Sequence, residues 1–251
     1  MFTPKFRVVD DVAKVSITCL GTEYGRKFIA DSALGGNPIL VSGGVGEDVS
    51  FDVEFVTNYH AKAILFDPTP RAIQHINEVC SRFGSSADTI FSNNGKQEAS
   101  SYNLHKINSE NFMFYPFALL NERKTVNFYA PPVREHVSYS IQNIQNRFTK
   151  KGEFIEVYAI GPNEVRQFAG EQINVLKLDI EGSEYEFLKS MFDNTILPDQ
   201  ILVEIDELHF PSIRSYKIAK KLFDLFMQNN YILVYRDGYN FTFLRKLLFG
   251  S

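Results

Sequence analysis

Short apolar runs alternating with helical patterns constrain this chain more than any other feature. The runs are 38–42, 63–67, 111–117, 175–179 and 200–206, each apolar and most of them rich in Val, Ile or Phe, as strands require. Helical spacing fills the gaps. Val49, Val53 and Val56 mark one face after Gly46, RAIQHINEVCSRF follows Pro70, and Ile218, Leu222 and Phe226 fall in register within 215–229. Strands joined through helices need right-handed crossovers, so the sheet is predicted to be mostly parallel, with helices on both faces. Two further β-like runs, 231–235 and 240–244, flank Arg236-Asp237-Gly238-Tyr239, and Asp-Gly in that place signals a hairpin. One of the last two strands must then run antiparallel to the rest. The expectation is an α/β chain with seven strands, organised as one domain over 1–251, with 1–37 as an N-terminal appendage.

Composition narrows the function classes. With 251 residues, 44% hydrophobic and 22% charged, the chain can bury a full core. Formal net charge is −4, and the basic residues lie in scattered groups such as Lys150-Lys151 and Lys217 with Lys220-Lys221, so no stripe tracks phosphates and no nucleic-acid partner is expected. Cys19 and Cys80 are the only cysteines, which excludes a disulfide framework and a CxxC metal pair and fits a reducing cytoplasm. No stretch approaches the roughly 18–20 apolar residues of a membrane span, and RKLLFGS reads as a strand end and tail.

In such a sheet, ligands bind at the carboxyl ends of the strands, near the point where strand order reverses. The first strand ends in Ser42-Gly43-Gly44-Val45-Gly46-Glu47, where glycines let backbone approach a ligand before a helix begins. A dinucleotide GxGxxG would place its third glycine at Val49, so a ligand without a diphosphate is favoured; a plain glycine turn is the simpler alternative. The second strand ends on Asp67, at the separation where an acid accepts hydrogen bonds from ribose hydroxyls; its other role is capping the helix after Pro68. The fourth brings Asp179 and Glu181, and the fifth brings Glu204, Asp206, Glu207 and His209. Facing one cleft, these groups can bind a cation, hold a hydroxylated substrate or accept its proton. Solvated strand ends are the simpler reading, and the preferred one for Glu207. His209 has the intrinsic pKa of a general base. Beyond Gly182, Ser183 with Glu186 spells a capping box, and Glu184 and Glu186 sit where a helix dipole favours anions, so both glutamates are assigned to the helix.

VSGGVGEDVSF, LFDPTP, LKLDIEGSEYEFL and ILVEIDELH together resemble the FkbM family of S-adenosylmethionine-dependent methyltransferases, from about Gly21 to Leu244. The most specific piece is the DIEGxE core followed by an aromatic and an apolar helix. The resemblance implies a Rossmann-like class I methyltransferase fold and S-adenosyl-L-methionine as cofactor, held by Ser42, Gly43, Gly44, Gly46, Asp67 and Asp179. Gly21 to Gly25 is similar to a segment that lies over the cofactor in such enzymes. The implied reaction is O-methylation of a small-molecule or sugar hydroxyl, with Asp179, Glu181 or His209 taking the proton. A divalent cation, where one is used, falls to Asp179 and Glu204. One departure stands out: such enzymes usually carry an acid in the first strand before the glycines, and Leu40-Val41-Ser42 supplies none. An NAD-dependent oxidoreductase and a catalytically inactive binding module are the rival readings. Segments 94–106 and 131–152, with Tyr102, Tyr139 and Phe148, are expected to form the acceptor pocket, and the chain can act alone or as a homodimer.

Overall fold

The computed structural model describes residues 15–92, 95–130, 139, 153–205, 208 and 212–248. Twelve strands are found there: β1 (Ile17–Leu20), β2 (Lys27–Ala30), β3 (Ile39–Gly43), β4 (Lys62–Phe66), β5 (Phe112–Tyr115), β6 (Ala118–Leu119), β7 (Lys124–Tyr129), β8 (Phe154–Ile160), β9 (Val175–Leu178), β10 (Gln200–Glu204), β11 (Tyr231–Asp237) and β12 (Asn240–Arg245). Five helices accompany them: α1 (Ser50–Tyr59), α2 (Pro70–Cys80), α3 (Pro162–Ala169), α4 (Glu184–Asp193) and α5 (Ile213–Gln228).

Seven strands form one sheet in the order β11-β12-β10-β9-β3-β4-β5. Strands β5, β4, β3, β9 and β10 pair in parallel, whereas β12 runs antiparallel to both β10 and β11. The hairpin expected from Asp237-Gly238 is present, with Gly238 in the left-handed region at φ +58°. Strand β3 is flanked by β9 and β4, so chain order reverses at its carboxyl end, where the glycine loop begins.

Period-two alternation divides the sheet's side chains between two cores. Val41, Ile64, Leu176 and Leu178 pack toward α4 and α5 with Phe187, Leu188 and Phe226. Leu40, Ala63, Leu65 and Val175 pack toward α1 and α2 with Phe55, Val56 and Ile76. Each fully buried Leu or Phe contributes about 1.5–3 kcal/mol, enough to fix the register of every central strand. Helix α2 begins where Pro70 presets φ and Thr69 Oγ1 accepts from Ala72 N. Ser212 caps α5 in the same way, accepting from Ser215 N.

Several elements go beyond the expected fold. Residues 17–30 form the hairpin β1–β2, and β6, β8 and β7 form a separate three-stranded sheet. The third apolar run, read through Phe117, divides at 116–117 into β5 and β6. Strand β7 fully buries only Phe128, and its short alternation of Val126 and Phe128 with Thr125 and Asn127 lies outside the strands expected from sequence. Tyr102 is a correction. Placed in the acceptor pocket from sequence, it is fully buried in the α1/α2 core, where its hydroxyl accepts from Val49 N and bonds His75 Nε2 at 2.9 Å. Tyr139 packs beside the β6–β8 core, and Phe148 lies outside the described residues. No helix among the described residues is long and apolar enough to cross a membrane.

Candidate active site

The glycine loop leaves β3 under tight constraint. Gly44 N donates to Phe66 O at 2.9 Å on one side, and Asp179 N donates to Gly43 O at 3.0 Å on the other. A Cβ on Gly44 would lie 1.8 Å from Asp179 O, so only glycine lets the loop and the DIEG turn meet. Gly43 is needed for packing, since its Cβ would strike Leu119 Cδ1 at 2.6 Å. Gly46, at φ +51°, faces open space and is the loop glycine with room for a ligand.

Asp67 departs from its expected setting as an open strand tip. It is only 6% exposed, and its carboxylate is engaged by protein: Oδ2 accepts from Val45 N and Gly46 N, both at 3.0 Å, while Oδ1 accepts from Thr69 N and Thr69 Oγ1. It therefore clamps the glycine loop to the start of α2. Glu47 makes a second clamp through Arg71 at 3.2 Å and Lys96 at 3.1 Å.

The DIEG turn is built differently from the expected capping box. Ser183 makes no side-chain cap, and Glu186 is exposed. Glu184 is instead buried, and its Oε1 accepts from Ile180 N at 2.9 Å and Gly182 N at 3.3 Å. That backward reach is possible because Glu181 and Gly182 both take positive φ, +55° and +94°. For Glu181 this costs about 1–2 kcal/mol, and such strain gathers at functional turns.

Asp179 and Glu204 do converge at neighbouring strand tips, as expected, but a lysine stands between them. Lys27 of β2 is 5% exposed, and its Nζ lies 2.8 Å from Glu204 Oε2 and 3.6 Å from Asp179 Oδ2, with Asn240 Oδ1 as a third partner. The pair named for a divalent cation is thus already bridged by an ammonium, which balances one of the two negative charges. No group of three or more His, Cys, Asp or Glu among the described residues is arranged to hold a metal ion. These residues do not fit a cation, and no step is assigned to one. Asp206, Glu207 and His209 lie outside the described residues.

The loop between β1 and β2 reaches the same edge. Thr22 Oγ1 donates to Asp48 Oδ2 at 2.6 Å, Thr22 N donates to Ser50 Oγ, and Gly21 N donates to Glu54 Oε2, which fixes the loop on the first turn of α1. Tyr24, 62% exposed, rests its ring on Gly95. Partial desolvation where the ring lies against the protein, followed by the Asp179, Glu204 and Glu181 carboxylates, pushes its pKa upward, so Tyr24 stays protonated beside the acids even though its surface is largely open to water.

Beneath the loop lies a polar cluster that includes one residue expected at the cofactor. Ser42 is fully buried, and its Oγ accepts from Lys177 Nζ at 3.2 Å; Lys177 also donates to Gly44 O at 3.0 Å. Lys177 was missed in sequence, although a charged residue inside the run VLKL signals it. Lys27 carried no such signal, whereas Tyr24 falls within Gly21 to Gly25, the segment expected to lie over the cofactor.

The chain matches the model of the methyltransferase FkbM domain over residues 43–241. No curated protein matches it by sequence. Solved structures that show a remote likeness include two from Methanococcus jannaschii. Methanococcus jannaschii fibrillarin pre-rRNA processing protein is 10% identical, with 98% of this chain and 87% of that one covered and a TM-score of 0.41. M. jannaschii TYW2 in complex with AdoMet is 12% identical, with 92% and 88% covered and a TM-score of 0.33. Both scores are too low to bear on substrate. With the family model running from Gly43 of the glycine loop through the DIEG turn to the end of β11 and the hairpin turn, the chain belongs to the FkbM family of S-adenosylmethionine-dependent methyltransferases.

Proposed function

We propose that this chain transfers a methyl group from S-adenosylmethionine to a hydroxyl oxygen of a small molecule or sugar. The observation that carries the reading is the contact of Gly44 with Asp179, which joins the glycine loop and the acidic turn into one edge beneath Tyr24. Gly46 opens onto that edge, and the loop backbone fits a ligand's polar end approaching closely. When bound, the cofactor supplies an electrophilic methyl group on a sulfonium. The protein then has two tasks, to align an acceptor oxygen behind that methyl and to take its proton. When that oxygen is methylated, its proton would pass to a carboxylate of this chain. Asp179, 32% exposed and beside Lys27, is the first choice, with Glu181 as its neighbour in the strained turn.

Calorimetry with S-adenosylhomocysteine and with NADH tests the reading. Heat from the sulfur compound alone is expected, and heat from NADH alone overturns it in favour of an oxidoreductase. Asp179→Asn, assayed at saturating S-adenosylmethionine, should lose at least about a hundredfold in turnover, the scale of a lost general base. Full turnover in that variant would remove Asp179 from the reaction.

A further inference from the structure

Asp52 is a buried acid that neither the fold nor the proposed chemistry uses. It sits in the first turn of α1, is 0% exposed, and neither carboxylate oxygen makes a hydrogen bond of normal geometry among the described residues. Leaving such a group unmatched is costly. Lys177 Nζ lies 4.0 Å from its Oδ2, and Ser42 lies on the same face. Burial raises its pKa, the Lys177 ammonium and the Ser42 hydroxyl oppose that, and Asp48 adds to it. Lys177 in turn donates to Gly44 O, in the loop whose position decides whether a cofactor fits.

Pleat alternation explains how these groups meet. Leu40 and Val175 face the α1 side, so Ser42 and Lys177, two residues further along adjacent strands, face α1 as well. The first strand carries Ser42 where a related enzyme would carry an acid, and Asp52 brings a carboxylate to that spot from the helix instead. We propose that Asp52 and Lys177 form a buried positioning pair that replaces the absent strand acid: Asp52 holds the Lys177 ammonium, and Lys177 holds the Gly44 carbonyl in the cofactor-receiving shape. The pair touches no ligand. Its effect is on the loop, and the inference rests on the methyltransferase reading above.

The test is calorimetry with S-adenosylhomocysteine, together with thermal melts without ligand. Binding by the wild type is required first, and its failure would count against the proposed function rather than against the pair. Asp52→Asn is expected to weaken binding by at least about tenfold. Because removing one charge can unfold the protein, Asp52→Asn/Lys177→Met, which removes both, serves as the folded control and should show the same loss with a melting temperature near wild type. Relocating the charge, as Ser42→Asp in the Asp52→Asn background, should recover most of the affinity, which a purely structural role for Asp52 would not produce. A double variant that binds as tightly as wild type overturns the inference. So does an Asp52→Asn protein with wild-type affinity.

Discussion

Asp67→Asn separates two roles for the acid at the end of β4. A residue whose partner is a ligand leaves the unliganded protein's stability untouched when its charge is removed. A clamp does not. In the structure Asp67 accepts four hydrogen bonds, from Val45 N, Gly46 N, Thr69 N and Thr69 Oγ1, while 6% exposed. Asparagine keeps one acceptor oxygen and turns an amide NH2 toward donors. If its oxygen stays with Val45 and Gly46, the Thr69 N–H faces another donor; if the amide flips, two loop N–H groups do. At least one buried N–H is then stranded at about 1–3 kcal/mol, and the surviving bonds lose their charge assistance. The sum is about 2–4 kcal/mol. For a chain of this length each kcal/mol moves the melting temperature by about 2–4 °C, which gives a drop of about 4–16 °C. Differential scanning calorimetry without ligand measures it. An unchanged melting temperature combined with lost S-adenosylhomocysteine binding would refute the clamp and return Asp67 to the ligand.

Three further outcomes are expected. Glu184→Ala strands the Ile180 and Gly182 N–H groups and should lower stability by about 1–3 kcal/mol, whereas Glu186→Ala should leave the melting temperature within about a degree; the reverse ranking in thermal melts would restore the capping box. Lys27→Met leaves Asp179 and Glu204 facing each other and should cost about 2–3 kcal/mol by urea titration, below the about 3–5 of a fully buried pair because both carboxylates are partly open to water; an unaltered midpoint would deny the bridge. His75 is held below its ordinary pKa, first by burial, so the folded state resists its protonation. Stability is therefore full above about pH 6.5 and declines as pH falls from there toward the lower folded value; His75→Gln should flatten urea-titration stabilities between about pH 7.5 and 5.5, and an equal slope in both proteins would exclude it.

How far the fold was legible follows from where apolar pattern carries information. Strands β3, β4, β9 and β10 are buried on both faces, so Val41, Ile64 and Leu176 announce them as continuous apolar runs. Turn chemistry exposed the β11–β12 hairpin, because Asp237-Gly238 admits few alternatives. Strands β7 and β8 escaped notice because they are exposed on one face, so polar Thr125, Asn127 and Glu156 alternate with the apolar residues and no continuous apolar run marks them, and they pair in a small sheet apart from the main one. Strand β2, with only four residues, KFIA, is too short to show a period. Ser183 illustrates the opposite error. Its sequence spacing satisfies a capping box, but the positive φ of Glu181 and Gly182 swings Glu184 back over the turn, and a local motif has no means of registering that tertiary choice.

The site was legible in its acids and opaque in its cations, for one physical reason. Carboxylates at strand tips are placed by the strands that end in them, so Asp179 and Glu204 followed from the apolar runs before them. The ammonium group that bridges them comes from elsewhere: Lys27 lies 177 residues before Glu204 and arrives on a hairpin of its own. Lys177 points inward from β9 to a carboxylate carried by α1. A row of acids in sequence suggests a metal because the balancing charge is not in view. Here the chain supplies that charge itself, twice, once above the strand tips and once beneath the glycine loop. The acidic edge is consequently held by protein contacts before any ligand arrives. For the O-methylation proposed above, such preorganisation would favour alignment of the acceptor, since groups already fixed need no rearrangement during the reaction.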